Sequence, residues 1–190
     1  VDYHAFLGPY LFLHLWLGGV GSFLWLRRLT ASAEGALLGG LAYALGGPAL
    51  SLITKLDKLP GYTFLPWLLF GLALLLGSGR VSSPQERQRG LWVGVAAMAL
   101  TLLGGSVEGV AIAGACALIV TLPGGAGLGR RLAWAGLTLG GGLGLAGMLL
   151  VPFLSLLPET ARAAGVAAAK GLARSTHPQD LLGWFTHTPF

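Results

Sequence analysis

The chain has 190 residues, 54% of them hydrophobic and only 10% charged, against about a quarter charged in soluble domains. That balance excludes a water-soluble globule, and 32 glycines without a G-X-Y period or a proline excess exclude collagen and a disordered linker. The formal net charge of +5 does not mark a nucleic-acid binder, because the twelve Lys and Arg residues are scattered between long apolar runs and assemble no basic face.

Crossing a bilayer takes about 20 apolar residues at about 1.5 Å rise each. Six segments meet that requirement, near 5–26, 33–53, 61–78, 90–105, 107–123 and 132–155. The first has no basic region before it and is followed by Arg27 and Arg28, so it does not read as a signal peptide. The fourth and fifth are short and form a tight hairpin with Glu108 at its tip, a re-entrant pair being the alternative. The expected fold is therefore all-α: a polytopic transmembrane helix bundle of about six spans over residues 1–157. Residues 158–190 form a separate juxtamembrane region. There, Glu159 to Arg174 is alanine-rich with interspersed cations and reads as a helix lying on the membrane surface. Pro178, with Thr176 and Gln179 at capping-box spacing, starts a second short helix.

Charge sets the expected orientation. Arg27 and Arg28, then Arg80, Arg87 and Arg89, then Arg130 and Arg131 fall in alternate connections, whereas the opposite short loops hold only Lys55 and Lys58. By the positive-inside rule the arginine side is cytoplasmic, so both ends of the chain, the Lys55 to Gly61 loop and Glu108 face outward. Trp25, Trp92 and Trp134 lie beside the arginines, where interfacial aromatics belong. The start at Val1 and the end at Phe190, just after an apolar stretch, point to an internal piece of a longer membrane protein. Three glycine pairs four residues apart, Gly35 and Gly39, Gly105 and Gly109, and Gly140 and Gly144, are candidates for close helix contacts. The single cysteine, Cys116, excludes a disulfide framework and reads as a small apolar packer.

No nucleotide loop, zinc spacing or nucleophile elbow occurs, so chemistry has to come from polar groups on the outer face. In Lys55-Leu56-Asp57-Lys58 a carboxylate lies between two ammonium groups, which suits either a lipid-phosphate site or a solvated loop. Glu108 is the only acid of the second hairpin, functional if it lies at membrane depth and wet if it lies at the tip. Arg162, Lys170, Arg174, His177 and Asp180 of the tail are headgroup anchors or a phosphate-binding wall. His14, nine residues into the first span, is expected near mid-membrane, hydrogen-bonded to a neighbouring helix.

The order of segments resembles the bacterial YfhO-like membrane proteins of the GT-C superfamily of polytopic glycosyltransferases. The resemblance covers essentially the whole chain and rests on several pieces. These are His14-Leu15-Trp16-Leu17-Gly18-Gly19 before Leu26-Arg27-Arg28-Leu29, the run Ala36 to Gly47, Leu65-Pro66-Trp67, the run Leu102 to Glu108, and Pro178-Gln179-Asp180-Leu181-Leu182 before Thr188-Pro189-Phe190. It implies a cavity open to the outer face of the bacterial cytoplasmic membrane, where a sugar passes from a polyprenyl-phosphate carrier to a cell-envelope glycan acceptor. In the superfamily an acid on the first outer loop is base or ligand of a divalent metal, and here that loop would precede Val1. Asp57 falls on the second outer loop, where related enzymes carry a supporting acid, but the His and Asn frequent near that position in YfhO-like sequences are absent here. Asp57, as a candidate supporting acid of that kind, and Glu108, as the only acid of the second hairpin, are the candidate catalytic acids. Lys55, Lys58, Arg162, Arg174, His177 and His14 would lie on the substrate side. A lipid-linked sugar translocator and a non-catalytic envelope assembly protein are the alternatives.

Overall fold

A computed structural model describes residues 3–30, 32–56, 58–78, 81–104, 107–121 and 127–156. All regular structure among them is helical: α1 (Tyr3–Leu29), α2 (Ala33–Leu45), α3 (Gly47–Ser51), a single 3₁₀ turn (Leu52–Thr54), α4 (Leu59–Leu76), α5 (Pro84–Leu103), α6 (Val107–Thr121) and α7 (Leu128–Leu156). By internal contacts the chain divides into Val1–Leu149 and Leu150–Phe190. In the second unit the described residues are the end of α7; the rest of the fold belongs to the first. The expected surface helix over 159–174 and the short helix after Pro178 lie outside the described residues.

Two helices, Phe6–Leu29 within α1 and Leu59–Leu76, are long and apolar enough to cross a membrane. The other elements depart from the six expected segments in instructive ways. The second segment is not one helix. Gly46 adopts an extended conformation (φ −70°, ψ 162°), and a side chain there would run into the Ala42 carbonyl. Pro48 follows in the first turn of α3, and its ring cannot continue the ladder of α2. The 13 residues of α2 therefore reach only about 20 Å. The fourth segment instead starts earlier than its apolar run, at Pro84. Ser83 accepts the Glu86 N–H through Oγ, and the Glu86 carboxylate accepts the Ser83 N–H, which closes a capping box behind a proline at the first helical position.

Close contacts fix the directions of α1, α2, α4, α5 and α7. Gly19 lies against Gly40 and Ala44, and Gly39 against Leu26, so α1 and α2 are antiparallel. Thr63 and Trp67 bond to the carbonyls of His14 and Leu17, so α1 and α4 run parallel. Gly71 meets Gly90 and Gly94, and Pro60 meets Gly104, so α4 and α5 are antiparallel. Gly94 touches Thr138, and Val95 and Met98 touch Gly141 and Gly142, which makes α5 and α7 parallel. The core forms where Leu68 and Leu72 of α4 meet Ala97 and Met98 of α5, Ala113 and Ala117 of α6 and Ala135 of α7.

The glycines that bring backbones together are not those singled out by spacing. A Cβ on Gly71 would lie 2.7 Å from both the Gly90 oxygen and the Gly94 nitrogen, so only glycine permits this approach of α4 to α5. Of the expected pairs, Gly39 does face α1, but Gly35 meets only its own cap residue Ser32, Gly140 and Gly144 face open space, and Gly105 lies outside the described residues.

Candidate functional site

Helix direction sorts the polar residues into two ends. Arg27 and Arg28 close α1, Arg87 and Arg89 open α5, and Arg130 and Arg131 open α7. The parallel course of α5 and α7 and an ion pair between Arg28 and Glu86 place these six at one end of the bundle. Lys55 and Lys58 precede α4 at the other end, where Pro60 touches Gly104 shortly before α6 begins.

At the lysine end the chain makes a tight turn, the Lys55 N–H donating to the Leu52 carbonyl and the Lys58 N–H to the Lys55 carbonyl, at 2.8 and 2.9 Å. This puts two ammonium-bearing residues at the start of an 18-residue helix, Lys55 exposed and Lys58 half-buried. The amide dipoles of α4 add partial positive charge at the same place, so the end complements an anion. Asp57 lies outside the described residues, as do Arg162, Arg174, His177, Lys170 and Asp180 of the tail. For Glu108 the structure describes the backbone alone, in the first turn of α6.

His14 is nearer the lysine end than its position in the apolar run implies. Its carbonyl accepts from Thr63 Oγ1 at 3.2 Å, and Thr63 is four residues past the first residue of α4. Among the described residues its ring bonds within its own helix, not the neighbouring one. Nδ1 lies 2.9 Å from the Tyr10 carbonyl one turn back in α1, the ring packs tilted against Tyr10 with centroids 4.1 Å apart, and it meets Phe64 of α4 edge-on.

Sequence reasoning missed the pair that ties α2 to α4. Tyr43 Oη donates to the Tyr62 carbonyl at 2.6 Å and Tyr62 Oη to the Tyr43 carbonyl at 2.8 Å, with the rings stacked 4.2 Å apart. Each phenol uses its donor on the other residue's backbone, which satisfies a hydroxyl among apolar neighbours. Trp67 Nε1 likewise donates to the Leu17 carbonyl at 2.9 Å. These groups fasten helices, and their donors are spent in doing so.

The arginine end holds a second constellation. Arg28 is buried: Nη2 donates to Ser82 Oγ at 2.6 Å and Nη1 to Glu86 Oε1 at 3.3 Å. The adjoining cavity of about 1000 Å³ is lined by Arg27, Arg28, Thr30, Glu86 and Arg89, with Leu24, Leu29, Phe70, Leu74 and Val93 as its apolar part. A sequence signal existed, since Glu86 is an acid in an arginine-rich connection, but the partner was legible only once α1 and α5 were placed together. Among the described residues no group of three or more His, Cys, Asp or Glu residues is placed to hold a metal ion.

No family model, curated protein or solved structure matches this chain.

Proposed function

We propose that the chain is the membrane-embedded part of a GT-C-type glycosyltransferase of the bacterial cytoplasmic membrane, related to the YfhO-like proteins, which moves a sugar from a polyprenyl-phosphate carrier to a cell-envelope acceptor. The observation that carries this reading is the anion-complementary turn at Lys55 and Lys58, ahead of α4 and at the bundle end opposite six arginines. With the arginine end cytoplasmic, the lysines face the compartment in which lipid-linked sugars are used. Embedding in a membrane is supported by the large apolar residues that face outward on α1, α2, α5, α6 and α7, around the enclosed α4. Phe12 and Trp16 of α1, Leu38 of α2, Trp92 of α5, Ile119 of α6 and Met148 of α7 are all more than half exposed, a surface suited to lipid rather than water.

In this reading Lys55 and Lys58 hold the carrier's phosphate and stabilise the charge it gains on leaving. A carboxylate, Asp57 or Glu108, takes the proton of the acceptor hydroxyl as that oxygen attacks the anomeric carbon. His14 orients the outer part of α1, its carbonyl being bound to Thr63.

A second reading, a non-catalytic envelope assembly protein, is favoured by one observation: Tyr43, Tyr62, Thr63 and Trp67 commit their donors to helix packing. The two readings part in an assay of the full-length protein in vesicles supplied with a polyprenyl-phosphate sugar and an acceptor. Changing Asp57→Ala together with Lys58→Ala lowers transfer at least a hundredfold if the turn carries the chemistry. Undiminished transfer moves the active site elsewhere, and no transfer by the unaltered protein favours assembly. Orientation is read separately, in a Cys116→Ser background: an impermeant thiol reagent outside whole cells labels Lys55→Cys and spares Arg87→Cys.

A further inference from the structure

From the cavity at the arginine end we infer a binding site for the phosphate of an anionic membrane phospholipid, drawn from the leaflet opposite the lysine turn. Three guanidiniums and one carboxylate face this cavity of about 1000 Å³. The carboxylate is already committed: Glu86 Oε2 accepts the Ser83 N–H that caps α5, and Oε1 accepts from Arg28. Arg28 is in turn held by Ser82, so it forms a fixed wall. Arg27 and Arg89 lie exposed on two different helices that both border the opening. A guanidinium presents a planar fork of donors that matches two phosphate oxygens, and cations from both α1 and α5 lining one cavity suit one phosphodiester better than a dispersed ion atmosphere.

The rest of the lining selects a lipid over a water-borne phosphate. Leu24, Phe70, Leu74 and Val93 lie deeper along α1, α4 and α5 and offer an apolar strip beside the cations, where the first carbons of an acyl chain can lie. A basic pocket between membrane helices at the arginine side is also placed where an anionic leaflet concentrates such headgroups. Thr30 Oγ1 donates to the Leu26 carbonyl at 3.0 Å, which fixes the rim on the α1 side. The site needs the membrane embedding of the proposed function but not sugar transfer, so loss of transfer leaves it standing.

The test uses full-length protein, stripped of lipid in a neutral detergent and titrated with dioleoyl phosphatidylglycerol, dioleoyl phosphatidylcholine or inorganic phosphate, bound lipid being counted by native mass spectrometry. Phosphatidylglycerol should bind at least tenfold more tightly than phosphatidylcholine, and inorganic phosphate should compete only weakly. Arg27→Gln with Arg89→Gln should weaken phosphatidylglycerol at least tenfold. Arg87→Gln with Arg130→Gln removes the same charge at the same end, away from the cavity, and should change it less than twofold. All four positions are exposed, so the fold should survive, which far-UV circular dichroism checks. Equal weakening by the two double variants would assign the binding to diffuse surface charge and overturn the site. Equal affinity for the two lipids, or inorganic phosphate binding as tightly as phosphatidylglycerol, would also overturn it. Extraction of the protein by alkaline carbonate would instead show that the membrane embedding itself is wrong.

Discussion

α1 and α4 pass the same test of length and apolarity, with mean hydropathies of 1.3 and 1.7, yet only 17% of the first is buried against 67% of the second. α4 is enclosed by α1, α5 and α6, and Thr63, Pro66, Leu68 and Leu72 along it are all shut off from the surface. α1 buries one narrow stripe, Gly18, Gly21, Ser22 and Arg28, and turns Phe6, Phe12 and Trp16 outward. Length and apolarity make both helices fit to cross a membrane. What each one touches is decided by where glycine lets backbones approach and where a polar donor finds a carbonyl.

That contrast can be broken most sharply at the α4–α5 seam. Gly71→Leu drives a side chain into the backbone of Gly90 and Gly94 and should destabilise the bundle by about 3 kcal/mol or more, read from unfolding in mixed detergent and dodecyl sulfate micelles. Gly140→Leu, on a helix face with open space, is the matched control and should change stability by less than about 0.5 kcal/mol. If the two cost the same, the seam is not what places α4 at the centre. Next in size is Arg28→Ala, which removes the link from α1 to Ser82 and Glu86. A fully buried pair would lose more, but Glu86 is 30% exposed and solvent can replace the lost partner, so about 1–3 kcal/mol is expected in the same unfolding assay.

Trp67→Phe deletes the donor to Leu17 and the indole edge that packs on Gly21, and should cost about 1–3 kcal/mol. Tyr43→Phe and Tyr62→Phe each delete one of two reciprocal bonds. A double-mutant cycle on them should show coupling of about 0.5–1 kcal/mol, whereas additive losses would mean the two bonds form independently. The smallest effect belongs to the outward face: Leu38→Ala, 67% exposed on α2, should stay within about 0.5 kcal/mol. A larger loss there would show that a partner covers the face.

Much of this organisation is legible in the sequence where the signal is local. The alternation of arginine and lysine connections follows from where each charge interrupts an apolar run. Ser83-Pro84-Gln85-Glu86 spells the start of α5, although a count of apolar residues passes over it and begins six residues late. Gly46-Gly47-Pro48 likewise spells the break that ends α2, which an apolar count runs straight through. Glycine spacing is different in kind. In a chain with 32 glycines, four-residue pairs arise everywhere, and only the approach of α4 distinguishes Gly90 and Gly94 from Gly140 and Gly144. The tyrosine pair, nineteen residues apart, is invisible until α2 and α4 are laid side by side. Of the candidate site, the lysine turn follows from its position between spans, but the depth of His14 does not, because that depth is set by the register of α1 on α4.

The link from Arg28 to Glu86 joins residues 58 apart in the chain, and that separation sets an order of events at the ribosome. With synthesis at about 5–20 residues per second, α1 is complete for several seconds before its partner carboxylate exists. Over that interval the Arg28 guanidinium has no Glu86 to pair with and has to keep its charge solvated at the end of α1. Once α5 emerges, the same side chain takes up Ser82 and Glu86 and becomes a latch, so the end of α1 is fastened only after the start of α5 exists.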